Sequence, residues 1–223
     1  MSELDDQIAF RREKREQLRA AGVEAFPARC AYDLEPGDVQ ARWSGSSAAE
    51  LEAEARRLRV PGRVRARRDQ GKVAFLDLSD GRGKVQLFVR KERLDEASRR
   101  LLDQVDLGDY LLAEGPLGRT RTGELSIFAE RLTLLAKALR PLPEKWHGLA
   151  DVEARYRQRY LDLVANPDSR RTFELRARLV AGIRRFLDGR GFVEVETPMM
   201  QPIPGGAAAR PFVTHHHALD LEL

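Results

Sequence analysis

The stretch Val73-Ala-Phe-Leu-Asp-Leu-Ser-Asp-Gly-Arg-Gly-Lys-Val-Gln-Leu-Phe-Val-Arg90 sets the fold. Ala74, Leu76 and Leu78 alternate with Phe75 and Asp77; Val85, Leu87 and Val89 alternate with Gln86 and Phe88. Successive side chains on a strand point to opposite faces, so this period of two predicts two half-buried strands. Asp80-Gly81-Arg82-Gly83 is the turn between them. Upstream, Val64 and Ala66 alternate with Arg63, Arg65 and Arg67, which adds an earlier strand, joined through Asp69-Gln70-Gly71. Downstream, residues 93–104 read as a helix, and residues 109–117 and 124–135 as two more strands joined across Thr120-Arg121-Thr122-Gly123. Three strands, a helix and two strands is the order of the five-stranded OB-fold barrel, whose open face suits oligonucleotides.

Parity also nominates a surface. With Leu76 and Leu78 inward, Phe75 and Gln86 face outward. An aromatic ring on that face can stack a base, and a side-chain amide can read a base edge. Arg68, at the end of the first strand, is within reach of phosphate or base. The residues alone leave another reading open, in which Phe75 packs under the N-terminal helices.

Around the barrel, residues 3–21 read as a helix with Ser2 and Asp5 at capping-box spacing and Gly22 as its stop. Residues 23–45, with Pro27, Pro36, Gly37 and Gly45, read as a loop. Ser47 and Glu50 open a second helix running to about Leu58. After the barrel, Arg140-Pro-Leu-Pro143 is a linker, residues 151–164 a short helix, and residues 167 to about 188 a long one. Its stripe is Phe173, Ala177, Val180, Ile183 and Leu187. Phe192-Val-Glu-Val-Glu-Thr197 reads as a strand stopped by Pro198.

Composition narrows the class. The chain has 223 residues, 42% hydrophobic and 33% charged, which excludes wholesale disorder. Net charge is +4, and the basic set is 33 Arg against 6 Lys. Arg grips phosphate and stacks on bases, although an arginine-biased genome would give the same count. A lone Cys30 allows no internal disulfide, and the start lacks a secretory pattern, so a cytoplasmic, membrane-free protein is expected. His215-His216-His217 alternate faces and cannot share one metal, so no metal site is expected. His147 supplies no further ligand.

Four runs carry a resemblance. They are Arg-Pro-Leu-Pro-Glu-Lys-Trp-His-Gly-Leu (140–149), Arg-Tyr-Arg-Gln-Arg-Tyr-Leu-Asp-Leu (155–163), Glu-Thr-Pro-Met-Met-Gln-Pro-Ile-Pro-Gly-Gly-Ala-Ala-Ala-Arg-Pro-Phe (196–212) and Thr-His-His (214–216). The segment around Gly191 and Pro198 resembles motif 1 of the class II aminoacyl-tRNA synthetases. The whole chain resembles the N-terminal portion of bacterial-type lysyl-tRNA synthetases.

The resemblance implies an α+β protein in four parts. These are a helical extension (1–59), an anticodon-binding OB domain (60–139), a linker (140–150) and the start of an antiparallel α/β catalytic domain (151–223). It makes Phe75 the base-stacking residue and Arg68, Gln86 and Glu124 the polar contacts to the tRNA anticodon. Gly206 and Ala207 fall beside the lysine substrate, and Pro198 at a homodimer interface. The implied reaction joins lysine to tRNA through lysyl-adenylate, with ATP and Mg2+ as cofactors. Motifs 2 and 3 of the family are not in these residues, so no catalytic residue is assigned and the chain alone is expected to be inactive. His217 stands where the family pattern usually has Asn. The alternatives are a non-catalytic tRNA-binding module or truncated product of the same family, and an aspartyl- or asparaginyl-type fragment.

Overall fold

The computed structural model describes residues 3–143, 149–202 and 212–223. They form two compact units, residues 1–167 and 168–223.

The first unit is built on the alternation. β1 (Arg57–Gln70), β2 (Val73–Ser79) and β3 (Lys84–Arg90) form an antiparallel meander. α4 (Glu96–Gln104) follows, then β4 (Tyr110–Arg119), β5 (Leu125–Ala129) and β6 (Arg131–Ala136). β3 pairs with β5 in parallel, β5 with β4, and β4 returns to β1, which closes the barrel. β1 can serve two neighbours because it is long: residues 57–63 pair with β4 and residues 63–70 with β2. Val64, Ala74, Leu76, Leu78, Leu87, Val89, Leu111 and Ile127 point inward and are fully buried. The α+β class and the OB barrel expected from the sequence are what the structure has.

The expected fifth strand is two. It breaks at Glu130, whose N–H donates to the Glu114 carbonyl. The break lets β5 reach β3 while β6 stays on the first half of β4. Gly115 marks the crossing, where a Cβ would lie 2.0 Å from the Phe128 carbonyl oxygen. Only glycine admits so close a backbone.

Three helices precede the barrel. α1 (Glu3–Ala20) matches its expected span; Ser2, its expected cap, lies outside the described residues. The loop expected over 23–45 contains α2 (Pro36–Trp43). Proline there starts the helix instead of breaking it, since its missing N–H costs nothing in the first turn, and Val39 and Trp43 supply the buried face. α3 (Ala48–Glu54) has the expected capping box of Ser47 and Glu50. It stops three residues before Leu58, at left-handed Ala55 (φ 47°), because Leu58 is drawn into β1 opposite Gly115.

Charge fixes α1 to the barrel. The Lys137 ammonium, with no exposed surface, donates to Asp106 (2.6 Å), Asp109 (2.7 Å) and the Gln104 carbonyl (2.8 Å). Lys14 of α1 donates to the other oxygen of Asp106 at 2.6 Å. Arg11, one turn earlier, donates to the carbonyls of Leu107 and Ala138, both at 3.0 Å. Past the barrel, α5 (Val152–Arg157) and α6 (Arg159–Ala165) replace the single short helix expected over 151–164. They are joined by buried Asp162, which accepts from Arg155, Arg159 and Asn166.

The second unit holds α7 (Pro167–Asp188), which begins at the unit boundary, and a two-residue hairpin of β7 (His215–His216) and β8 (Leu221–Glu222). The strand expected over 192–197 is absent: these residues are irregular and exposed. A strand needs a neighbour to pair with, and the described residues offer none there. Leu175, Leu179, Ile183 and Phe186 are each more than half exposed. Among the described residues no helix is long and apolar enough to cross a membrane.

Candidate nucleic-acid interface

Outward side chains of β2, β3 and β5 line an open cleft of about 1020 Å³. Arg68, Phe75, Gln86 and Glu124, nominated from scattered positions, all line it. Register explains the convergence. Arg68 is opposite Phe75, Phe75 opposite Phe88, and Phe88 opposite Phe128, so one row crosses four strands. The three rings meet edge to face, with centroids 5.3 Å apart for Phe75–Phe88 and 5.1 Å for Phe88–Phe128. All three are half-buried, with their backs on the barrel and a side toward the cleft. Phe75 therefore does not lie under the N-terminal helices; it holds its place against Phe88.

The next row is polar. Asp77 is opposite Gln86 and Gln86 opposite Ser126. Ser126 Oγ, fully buried, lies 3.1 Å from Gln86 Oε1 and keeps the amide in the cleft. Glu124 is exposed at the rim, where its N–H donates to Thr120 Oγ1 in the β4–β5 turn. Arg68 and Lys84 flank Asp77 at 3.8 and 3.7 Å. Exposed Arg90 lies 5.4 Å from the Phe88 ring. Cations at the rim and aromatics on the floor suit single-stranded nucleic acid.

The arginine count overstates the cationic surface. Arg67 donates to the Leu102 and Val105 carbonyls (2.8 and 2.9 Å), closing the C-terminus of α4. It also donates to Asp69, and that hydrogen bond holds the Asp69 carboxyl below its ordinary pKa. Arg63 donates to the Gly108 carbonyl at 3.0 Å and lies over the Tyr110 ring. Arg119 lines the cleft but donates to the Ser44 and Ser46 carbonyls past α2. Of the first-strand cluster, Arg68 is the one with most of its side chain in solvent at the cleft.

The remaining nominated positions lie elsewhere. Gly206, Ala207 and His147 fall outside the described residues. Pro198 is exposed in the irregular segment after α7. His215 and His216 form β7, but His217 is in the turn, with its ring 5.1 Å from that of His215. Asp220 is a turn residue with φ 49°, and it pairs with His215 Nε2 at 3.1 Å. Among the described residues no group of three or more His, Cys, Asp or Glu side chains could hold a metal ion.

Sequence reasoning missed Phe88 and Phe128. Phe88 shares the parity of Gln86 and was legible in the alternation. Phe128 was not, because its place beside Phe88 comes from the parallel pairing of β3 with β5, which no local pattern announces.

Residues 58–135 match the family of OB-fold nucleic acid binding domains, and residues 151–222 match class II tRNA synthetases (D, K and N). A barrel with such a cleft, followed by such a segment, places the chain with the class II tRNA synthetases of the aspartate, lysine and asparagine group. The chain is 50% identical to a lysine–tRNA ligase of Dehalococcoides mccartyi over 96% of its length. It is 52% identical to that of Erwinia tasmaniensis and 51% identical to that of Escherichia coli K12, over 99%. It belongs to the lysine–tRNA ligase family and corresponds to the N-terminal portion of its members. It spans 43% or 44% of the length of these relatives.

Proposed function

We propose that this chain is the anticodon-binding portion, with the start of the catalytic domain, of a lysine–tRNA ligase. The division is a helical extension over 1–59, an anticodon-binding barrel over 60–139, a linker over 140–150 and a catalytic start over 151–223. The observation that carries this reading is the convergence of Phe75, Arg68, Gln86 and Glu124 in one cleft on the outward face of an OB barrel. Phe75 stacks an anticodon base. Gln86 and Glu124 meet the polar edges of the bases, and Arg68 meets phosphate or a base edge. Lysine is favoured over aspartate because the similar proteins are lysine–tRNA ligases.

In the whole enzyme, ATP with Mg2+ supplies the energy for joining lysine to the tRNA. This chain holds the other end of the tRNA and so orients the acceptor. Gly206 and Ala207 approach the lysine substrate, and Pro198 belongs to a homodimer contact, in a cytoplasmic enzyme.

The test is filter binding of a lysine-accepting tRNA and of the same tRNA with a changed anticodon. Phe75→Ala should weaken the first by about 1–3 kcal/mol, the worth of one base stack. It should bring the two tRNAs closer in affinity while the melting curve stays native. Unchanged affinity in a folded variant would remove the assignment.

A further inference from the structure

The geometry points to Phe128 as a second base-stacking position, so that the cleft seats two unpaired bases, one at each end of the aromatic row. This rests on reading the cleft as the anticodon site, and adds to it a residue on another strand and a second base.

The outer rings, Phe75 and Phe128, are separated by Phe88. Two strand spacings put them roughly 10 Å apart. Stacking requires face-to-face contact with the ring, so no single base can lie on both. Phe88 touches both neighbours by edge-to-face contact and keeps the outer rings apart and upright; it is the positioning residue of the row. A cleft of about 1020 Å³ is at the upper end for one drug-sized ligand, so there is space for two bases.

Phe128 is not there for the core. Its neighbours Ile127 and Ala129 point inward and are buried, whereas Phe128 is on the outward face with Phe75. Gly118 on β4 makes room for it: a Cβ there would lie 2.9 Å from the ring. One side of the ring is thus backed by glycine, and the other lines the cleft. Polar partners for a second base are at hand. Gln86 is one row away, between the two ring positions, and Thr120, Arg121 and Thr122, in the turn that leads into β5, line the same cleft.

The test uses the full chain and anticodon stem-loop hairpins of a lysine-accepting tRNA, each made abasic at one loop position. Against the intact hairpin, Phe128→Ala should weaken binding about 5- to 150-fold, one base stack in affinity terms. Phe128→Tyr, which keeps the ring, should bind within about twofold. The effect of Phe128→Ala should vanish with one abasic position, and that of Phe75→Ala with a different one. Three results would overturn the proposal: no loss with folded Phe128→Ala; both variants silenced by the same position; or an equal loss against every hairpin, which would mark a purely structural ring. If neither Phe75→Ala nor Phe128→Ala changes binding, or if the intact hairpin does not bind, the anticodon reading itself fails, and this inference with it.

Discussion

Lys137 shows how much one residue can be asked to do. Its ammonium has no exposed surface and satisfies two carboxylates and a helix-end carbonyl. Removing one partner from such a group leaves buried charge uncompensated, which typically costs about 3–5 kcal/mol. Lys137→Met should therefore lower stability by that order in urea denaturation. It should also loosen α1, whose Lys14 shares Asp106. Burial alone would raise the pKa of Asp106, but hydrogen bonds and charge from Lys137 and Lys14 outweigh it, and the net shift is downward. A lowered folded pKa contributes stability above the unfolded value, near 3.9, that is lost as pH falls through the folded one. Asp106→Asn should flatten the acid limb of the stability curve below about pH 4; an unchanged limb would show that other carboxylates set it.

At the same scale, Phe75 and Gln86 could be placed from the sequence because alternation alone decides which side a strand residue takes. The roles of Arg63 and Arg67 could not. Both lie on the same strand as Arg68, yet they donate to carbonyls brought near by the fold of residues 102–108. No spacing reveals an orphan carbonyl forty residues away. Phosphate contact thus falls to fewer arginines than the count suggests.

Among the elements, the meander was read almost entirely in advance, because each strand there pairs with the next. The closure was not. β5 lies parallel to β3 and crosses β4 at Gly115, and the break at Glu130 exists only because two partners must be served. Gly115→Ala tests that crossing. With a Cβ 2.0 Å from the Phe128 carbonyl oxygen, the backbones must separate. Overpacking costs typically about 1–3 kcal/mol, and this contact is backbone against backbone, so the upper part is expected. The barrel should melt roughly 10 °C lower or more. A melting point within a degree or two of the parent would show that the crossing is pliable. α2 was missed for an opposite reason: its proline and glycine look like breakers, and only burial of Val39 and Trp43 shows that the segment is helical.

Over the whole molecule, burial is unevenly shared. Among the described residues, the hydrophobic core cluster lies in the barrel, its flanking helices and the links between them. In the second unit α7 presents Leu175, Leu179, Ile183 and Phe186 to solvent, and Phe192, Val193 and Val195 follow, also exposed. An amphipathic helix whose apolar side chains stay in solvent has little tertiary support. Amide exchange should therefore be slow over residues 57–136 and fast over 170–200 in dilute protein. Protection of the second region should rise with concentration as copies associate. Strong protection over 170–200 in a demonstrably monomeric sample would overturn this. The strand expected at 192–197 illustrates the same limit: its alternating pattern is real, but a pattern specifies a face, and a strand also needs a partner.

The alternation along residues 73–90 has a consequence for how such a protein can diverge. Odd positions from Val73 to Ser79, and even ones from Lys84 to Arg90, look outward; the letters between them are sealed in the barrel. Two texts are thus interleaved in one segment, one for folding and one for what the surface meets. Because neighbours in the chain point opposite ways, a change in one text leaves the other nearly untouched. A lineage can rewrite its recognition letter by letter while it inherits the barrel unchanged.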